Sequence, residues 1–327
     1  MKAIIYRNYG SPDVLRLEEI EKPVPQDNEV LIEVRAASVN PLDFHLMKGT
    51  PRVARIMTGL LKPKVTRPGV DVAGVVEAVG SNVTQFHAGD EVLGSCKGAF
   101  AEYVCASEGA LVLKPANLTF EQAAAVPVAA FTSLQGLRDK GRIQPGHKVL
   151  INGAAGGVGT FAVQIAKSFG AHVTGVCSTR NVEMVRSIGA DYVIDYTQED
   201  YTQSGQRYDL IFDTVGNHSL SDNRRVLGSK GALVMAGGPT DSLLGILLPP
   251  LRALVMSRFV SQTLVPFLAR RRKEDLIIMQ ELLEAGKVTP VIDRTYPLSE
   301  ASEAVRYLEE GHARGKVVIT LEHDKRQ

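Results

Sequence analysis

The sequence predicts an α/β chain in which a doubly wound parallel sheet follows a β-barrel-like domain. Three observations carry this. Residues 149–152 form an apolar run that enters a glycine cluster at 153–159, and an amphipathic run over 161–169 leaves it and stops at Gly170. That is strand, tight turn, helix. Downstream, strand-like apolar runs alternate with helical ones, the pattern of repeated βα units. Upstream, residues 1–122 hold short β-prone runs separated by Gly, Pro, Asn and Asp, with no helix of ordinary length.

In chain order, the first part has β-prone runs at 3–6, 14–18, 30–37, 74–79, 91–93 and 101–105, and residues 30–35 alternate as a half-buried strand does. A short helix is expected at 41–48. The character changes at Thr119, which with Gln122 makes a capping-box pattern before an Ala-rich helix. Strand 147–152 then feeds helix 157–169, strand 172–177 feeds helix 181–188, and strand 191–194 follows. Strand 208–215 feeds helix 219–227, and strand 231–236 ends in Gly237 and Gly238. Two more helices are expected at 275–285 and 300–310, each stopped by a glycine, then a final strand at 316–321. This tail can pack back on the first domain.

The chain of 327 residues carries 37 basic and 36 acidic side chains, so no basic face argues for nucleic acid. Cys96, Cys105 and Cys177 are too few and scattered for a disulfide framework or a structural zinc knot, and a reducing cytoplasm is expected. The N-terminus has no signal-peptide core. The apolar stretch 242–251 is interrupted by Pro249 and Pro250 and is too short to span a bilayer.

The glycine turn carries the first chemical reading. Against the G-x-G-x-x-G template, Ala154 takes the first position, Gly156 the second and Gly159 the third, with Gly153 and Gly157 adding freedom on either side. Glycines let the backbone approach a bulky anion, and the helix N-terminus offers its free N–H groups. A dinucleotide pyrophosphate is the expected ligand, held along Ala154, Gly156, Gly157 and Val158. An NAD-binding sheet places an acid near the end of its second strand for the ribose 2′-hydroxyl. Here residues 175–181 contain none; Ser178, Thr179 and Arg180 stand where a 2′-phosphate would lie. The guanidinium fork suits phosphate oxygens, which favours NADPH; the alternative is that Arg180 only begins a surface helix.

Six fragments in order now carry a resemblance: residues 38–43, 68–76, 89–92, 98–103, the turn at 153–159, and 314–318. Through them the chain resembles the quinone oxidoreductase-like branch of the medium-chain dehydrogenase/reductase superfamily from Met1 to Leu321. The resemblance implies a GroES-like β-barrel catalytic domain at 1–122, a Rossmann NADPH-binding domain at 123–266 inserted into it, a return segment at 267–327, and a cofactor in the cleft between domains. It also shows what is missing. Zinc alcohol dehydrogenases of this superfamily have a Cys where Asn40 stands and a His where Val70 stands, although Asp43 remains; the four-cysteine lobe is absent. Zinc needs several N, S or O ligands, so no metal is expected. Without a Lewis acid, ionising an alcohol is hard, whereas delivering hydride to the electrophilic carbon of a quinone, enone or 2-alkenal is easier.

Within this reading Asn40 offers an amide to the nicotinamide, a ribose hydroxyl or the substrate, or else is simply a turn residue before Pro41. Asp43 orients a neighbour or caps a helix. His45, where many relatives carry Tyr, is a candidate proton donor or a structural histidine. By resemblance Thr132, Gly237 and Gly238 lie beside the nicotinamide, Val215 near the adenosine side, and Arg314 and Lys316 close on the cofactor. An enoyl-thioester reductase is an alternative, weakened because Thr50 rather than Tyr follows Gly49; a non-catalytic NADPH-binding protein is another. A homodimer is expected, joined near the sheet edge through residues 258–267.

Overall fold

The computed structural model describes residues 1–237 and 260–322. Its strands there are β1 (Lys2–Ile5), β2 (Arg16–Glu19), β3 (Glu29–Val39), β4 (Asp71–Val79), β5 (Glu91–Ser95), β6 (Tyr103–Ser107), β7 (Leu111–Leu113), β8 (Lys148–Asn152), β9 (His172–Cys177), β10 (Tyr192–Asp195), β11 (Tyr208–Asp213), β12 (Leu227–Met235), β13 (Thr263–Pro266), β14 (Ile292–Pro297) and β15 (Lys316–Thr320). The helices are α1 (Pro41–Lys48), α2 (Arg55–Thr58), α3 (Phe120–Ala124), α4 (Pro127–Gln135), α5 (Gly157–Ser168), α6 (Val182–Ser187), α7 (Leu220–Arg225), α8 (Lys273–Glu284) and α9 (Ala301–Glu309). Two units result. One takes Met1–Val128, Arg271–Gly286 and the chain from Pro290; the other takes Ala129–Arg270 and Lys287–Thr289.

The first unit is built on a sheet in the order β14-β15-β3-β4-β5-β7, with β6 also paired to β3 and a separate β1–β2 hairpin. All neighbours are antiparallel except β14 and β15. Val30, Ile32 and Val34 of β3 point to one face, as a period of two requires, and pack with Val72, Val76, Val92, Val104, Val317 and Ile319. Met47 of α1 and Val305 of α9 join the same cluster. The last strand thus lies inside a sheet begun by β3: Val317 pairs with Val39 and Val318 with Ser38.

The second unit is a parallel sheet in the order β10-β9-β8-β11-β12-β13. Counted within the unit this is 3-2-1-4-5-6, the doubly wound order whose switch point lies beside the first strand. Val149, Leu150 and Ile151 of β8 are fully buried, as a central strand covered on both faces must be. Every strand contributes to a common cluster: Leu150, Val176, Ile194 and Leu264 from β8, β9, β10 and β13, Tyr208 and Ile211 from β11, and Leu227 and Leu233 from β12.

Three local departures have physical causes. The Ala-rich helix after Thr119 is two helices, broken at Ala125 and Val126. Pro127 has no N–H to donate and its ring disfavours helical geometry at the preceding residue. Its cap is as expected: Thr119 and Gln122 bond each other's backbone N–H at 3.2 and 3.0 Å. Residues Pro12–Val14 form a 3₁₀ turn, so the second strand starts at Arg16. Strands β7, β13 and β14 carry no alternating pattern long enough to announce them. The apolar stretch 242–251 lies outside the described residues, among which no helix is long and apolar enough to cross a membrane.

Candidate active site

In the first unit, the ends of four adjacent strands bring polar side chains into the core. Asp71 on β4 pairs across the sheet with Ser38 on β3 and with Ser95 on β5, and Lys316 opens β15 beside the end of β3. Ser38, Asn40, Asp43, Asp71, Ser95 and Lys316 are all buried. Buried polar groups need partners, and most are found here. Ser38 Oγ and Asn40 Nδ2 each donate to Asp71 Oδ2 at 2.9 Å, and Val128 N–H donates to Asp71 Oδ1 at 3.2 Å. Lys316 Nζ donates to Asn40 Oδ1 at 2.6 Å and stands 3.7 Å from Asp71 Oδ2. Asn40 Nδ2 also reaches Ser38 O at 3.3 Å. The amide is thereby committed within the cluster: it links the ammonium to the carboxylate. Burial pushes the Asp71 carboxyl up and the Lys316 ammonium down, each opposed by the other's charge. Ser95 Oγ is the one buried side-chain atom of the cluster with no partner.

Asp43 works at the same place on the backbone. Its oxygens accept Asn40 N–H at 2.8 Å and Gly69 N–H at 3.0 Å, which caps α1 and ties it to the loop before β4. Burial drives its carboxyl from 3.8 up to about 7, against those two bonds. A folded value above the unfolded one means a stabilising contribution complete below pH 3.8 and lost as pH rises through about 7. Asp43→Asn removes the titration. The wild type's stability advantage over this variant is expected to be greatest near the lower limit and to shrink by on the order of 4 kcal/mol across the window. Urea unfolding at several pH values checks this; a constant difference would overturn it.

His45 also lies on α1, two residues past Asp43 and therefore on another face of the helix. It is half-buried, with Nδ1 3.3 Å from Thr50 Oγ1 and its ring 4.5 Å from that of Phe44. The structure thus joins Asn40, Asp43 and Lys316 in one network and sets His45 beside Thr50 instead. Arg314 is exposed; its N–H donates to Asp293 at 2.9 Å.

In the second unit, the turn after β8 explains its own departure from the glycine template. The left-handed position is Gly153, at φ +85°. Ala154 is buried and its Cβ lies against Gly175 of β9, where a second Cβ would come within 3.0 Å. At Gly159 a Cβ would stand 2.0 Å from Gly153 O, so this glycine lets α5 pack on the strand. Gly156 differs. A Cβ there would meet only Gly153 O, at the ordinary distance of 3.5 Å, and its φ of −81° suits any residue. Nothing in the protein calls for glycine at 156; the missing side chain opens the backbone outward, at a helix N-terminus with no side-chain cap. Gly156, Gly157 and Val158 are partly exposed there. This cradle fits the pyrophosphate of a dinucleotide.

Around it, Asn152 Nδ2 bonds Asp213 Oδ1 at 2.9 Å, and Asp213 accepts the N–H of Val215 and Gly216 at 3.0 and 2.9 Å. Val215 is exposed just past β11. Gly237 packs so closely that a Cβ would lie 2.0 Å from Thr214 O. Thr132 is half-buried on α4; Gly238 lies outside the described residues. Ser178 and Arg180 follow β9, Arg180 exposed. Sequence reasoning missed an acid beside them: Asp195, at the end of β10, accepts Thr179 Oγ1 at 2.6 Å and is bonded by Thr197 and Gln198. These bonds hold its carboxyl below the usual range. Ser38 and Asp71 were missed as site members too, because their role exists only through strand pairing.

The sequence matches the alcohol dehydrogenase GroES-like domain over residues 26–116 and the zinc-binding dehydrogenase family over residues 188–319. It is 38% identical to a 2-methylene-furan-3-one reductase of Solanum lycopersicum, over 98% of this chain and 79% of that protein. The chain belongs to the quinone oxidoreductase-like branch of the medium-chain dehydrogenase/reductase superfamily. Within this branch it is also 37% identical to a chloroplastic NADPH-dependent alkenal/one oxidoreductase of Arabidopsis thaliana, with the same coverage. The quinone oxidoreductase of Coxiella burnetii superposes with a TM-score of 0.86 at 32% identity, over 98% of this chain and 99% of the other. The branch's GroES-like and Rossmann folds correspond to the antiparallel-rich sheet of the first unit and the parallel sheet of the second.

Proposed function

We propose that the protein is a zinc-independent, NADPH-dependent reductase of quinones and α,β-unsaturated carbonyls. The observation that carries the reading is the Lys316–Asn40–Asp71 network. Where a zinc site would need thiolate and imidazole ligands, this chain sets an amide bound to an ammonium, with Val70 alongside in sequence. In this cluster the ammonium is bonded to Asn40 and set against Asp71, which fixes the first turn of α1 and the strand ends around it. When bound, NADPH supplies a hydride. The Gly153–Gly159 turn holds the pyrophosphate, and Ser178 and Arg180 hold the 2′-phosphate. Asp43 pins α1, and Thr50 orients the imidazole of His45, which gives a proton to the oxyanion left after reduction. The names of the relatives, an enone-type reductase and an NADPH-dependent alkenal/one oxidoreductase, support this substrate class.

The test is an NADPH-oxidation screen over quinones, alkenals, enones and enoyl thioesters, on protein assayed for zinc. Turnover of the first three classes without stoichiometric zinc is expected. Zinc at one per chain, lost with activity, overturns metal independence; cofactor binding without turnover of any class favours a non-catalytic role.

Cofactor choice has its own expected outcome. Arg180→Ala removes a charge-assisted bond to phosphate, about 1.5–3 kcal/mol, so NADPH affinity should fall while NADH affinity barely moves. Equal losses for both would place Arg180 away from the 2′-phosphate. We further assign a homodimer joined at β13, an edge strand of the parallel sheet; residues 258 and 259 of the contact segment lie outside the described residues. A monomer by light scattering would contradict this. The free thiols Cys96, Cys105 and Cys177 suit a reducing compartment, and the cytoplasm is our assignment.

A further inference from the structure

Between Asp43 and Asp71 the sequence has six Lys or Arg and no Asp or Glu, in a chain whose charges balance overall. The same stretch displays four large apolar side chains: Ile56, Met57, Leu60 and Leu61 are exposed by 71, 82, 70 and 88%. Contiguous apolar exposure of this kind marks a contact surface.

The backbone that presents them is fastened. Lys64 N–H donates to Thr58 O and Gly59 N–H to Arg55 O, both at 2.8 Å, closing the loop at its base. Tyr9 Oη donates to Gly59 O at 2.7 Å. Arg55 lies over the Tyr9 ring and donates to the carbonyls of Gly49 and Lys48 at 3.0 and 2.9 Å. Gly59 adopts φ +121°, where a Cβ would stand 1.9 Å from Lys62 O, so the bend that turns Leu60 and Leu61 outward depends on glycine. Arg52, Lys62 and Lys64 flank the apolar tip, exposed and without an ion-pair partner among the described residues.

We propose that residues 52–65 dock this protein on an anionic phospholipid bilayer. Apolar side chains at a fixed tip enter the boundary between headgroups and acyl chains, and the flanking cations meet lipid phosphates. A fluid surface asks for no shape complementarity, only for this charge and polarity. A second copy fits poorly, since a two-fold contact here would set like charges against one another. The proposal does not depend on the redox reading.

The test is co-sedimentation of the full chain with vesicles of phosphatidylcholine alone and of phosphatidylcholine mixed with phosphatidylglycerol. Binding to the anionic vesicles only, weakened by added salt, is expected. Lys62→Glu with Lys64→Glu should weaken it by at least about 25-fold, taking about fivefold per cation. Leu60→Ser with Leu61→Ser should abolish the salt-resistant fraction. Unchanged thermal unfolding shows that either variant is folded. The proposal fails if the wild type stays in solution with both vesicles at low salt, or if both variants sediment as the wild type does. It also fails if the leucine variant splits an oligomer in light scattering without changing vesicle binding, which would make this face a subunit contact.

Discussion

Replacing His45 with phenylalanine is expected to slow enone reduction by about 10²–10⁴-fold, the loss typical of a missing general acid. Hydride addition to an enone leaves an enolate that must gain a proton. No tyrosine follows Gly49 to supply it; Thr50 is there, 3.3 Å from the His45 ring. Phenylalanine keeps the bulk that packs beside Phe44, and the Asp43 bonds that hold α1 do not involve residue 45. NADPH affinity should therefore be retained. Quinone reduction should suffer less, because a hydroquinone anion is a stable product that water protonates later. The ratio of the two rates separates proton supply from damage to the fold. Wild-type rates on both substrate classes would make solvent the acid and His45 a bystander.

Lys316→Met is expected to destabilise the first unit by about 3–5 kcal/mol, the cost of leaving a buried carboxylate without its counter-charge. Asp71 would keep Ser38, Asn40 and the Val128 N–H but lose the only ammonium beside it among the described residues. Asn40 Oδ1 would lose its donor as well. Adding Asp71→Asn should recover part of the loss, because the uncompensated charge is then gone. Urea midpoints of the two single variants and the double variant give the coupling. A loss under about 1 kcal/mol for Lys316→Met, or strict additivity, would show that the pair is not linked in this way.

What could be read in advance follows from how far apart the interacting residues lie. The parallel sheet was legible because each strand is an apolar run followed at once by its turn, as at 149–153, and strand 172–177 was placed to the residue. Helix α1 falls on the short helix expected at 41–48, with Asn40 at its cap and Pro41 in its first turn. Strand β14 was not legible: its residues are mostly exposed or half-buried, and it is a strand only because β15 lies beside it. The candidate site divides in the same way. The glycine turn is local and was read in full except for the reason Ala154 is allowed, which lies on the neighbouring strand in Gly175. The buried network is not local: Asn40 meets Asp71 across 31 positions and Lys316 across 276. No periodicity joins such residues; Lys316 was named through resemblance, and Asp71 was covered only as one position of the fragment 68–76.

The central place of β15 also has a meaning for biosynthesis. Ribosomes deliver a chain from its beginning, and domains ordinarily fold in that order. Here the second unit is nearly contiguous, from Ala129 to Arg270 with only Lys287–Thr289 added later. In the sheet begun by β3 to β7, β6 covers only Glu29–Glu33 of β3 on the side away from β4, and Ala36–Val39 have no partner there until residues 316–320 have been translated. The nascent chain must therefore carry an open sheet edge through the synthesis of everything between. A message interrupted before codon 316 yields a polypeptide with its parallel sheet encoded in full and its buried polar network impossible to assemble.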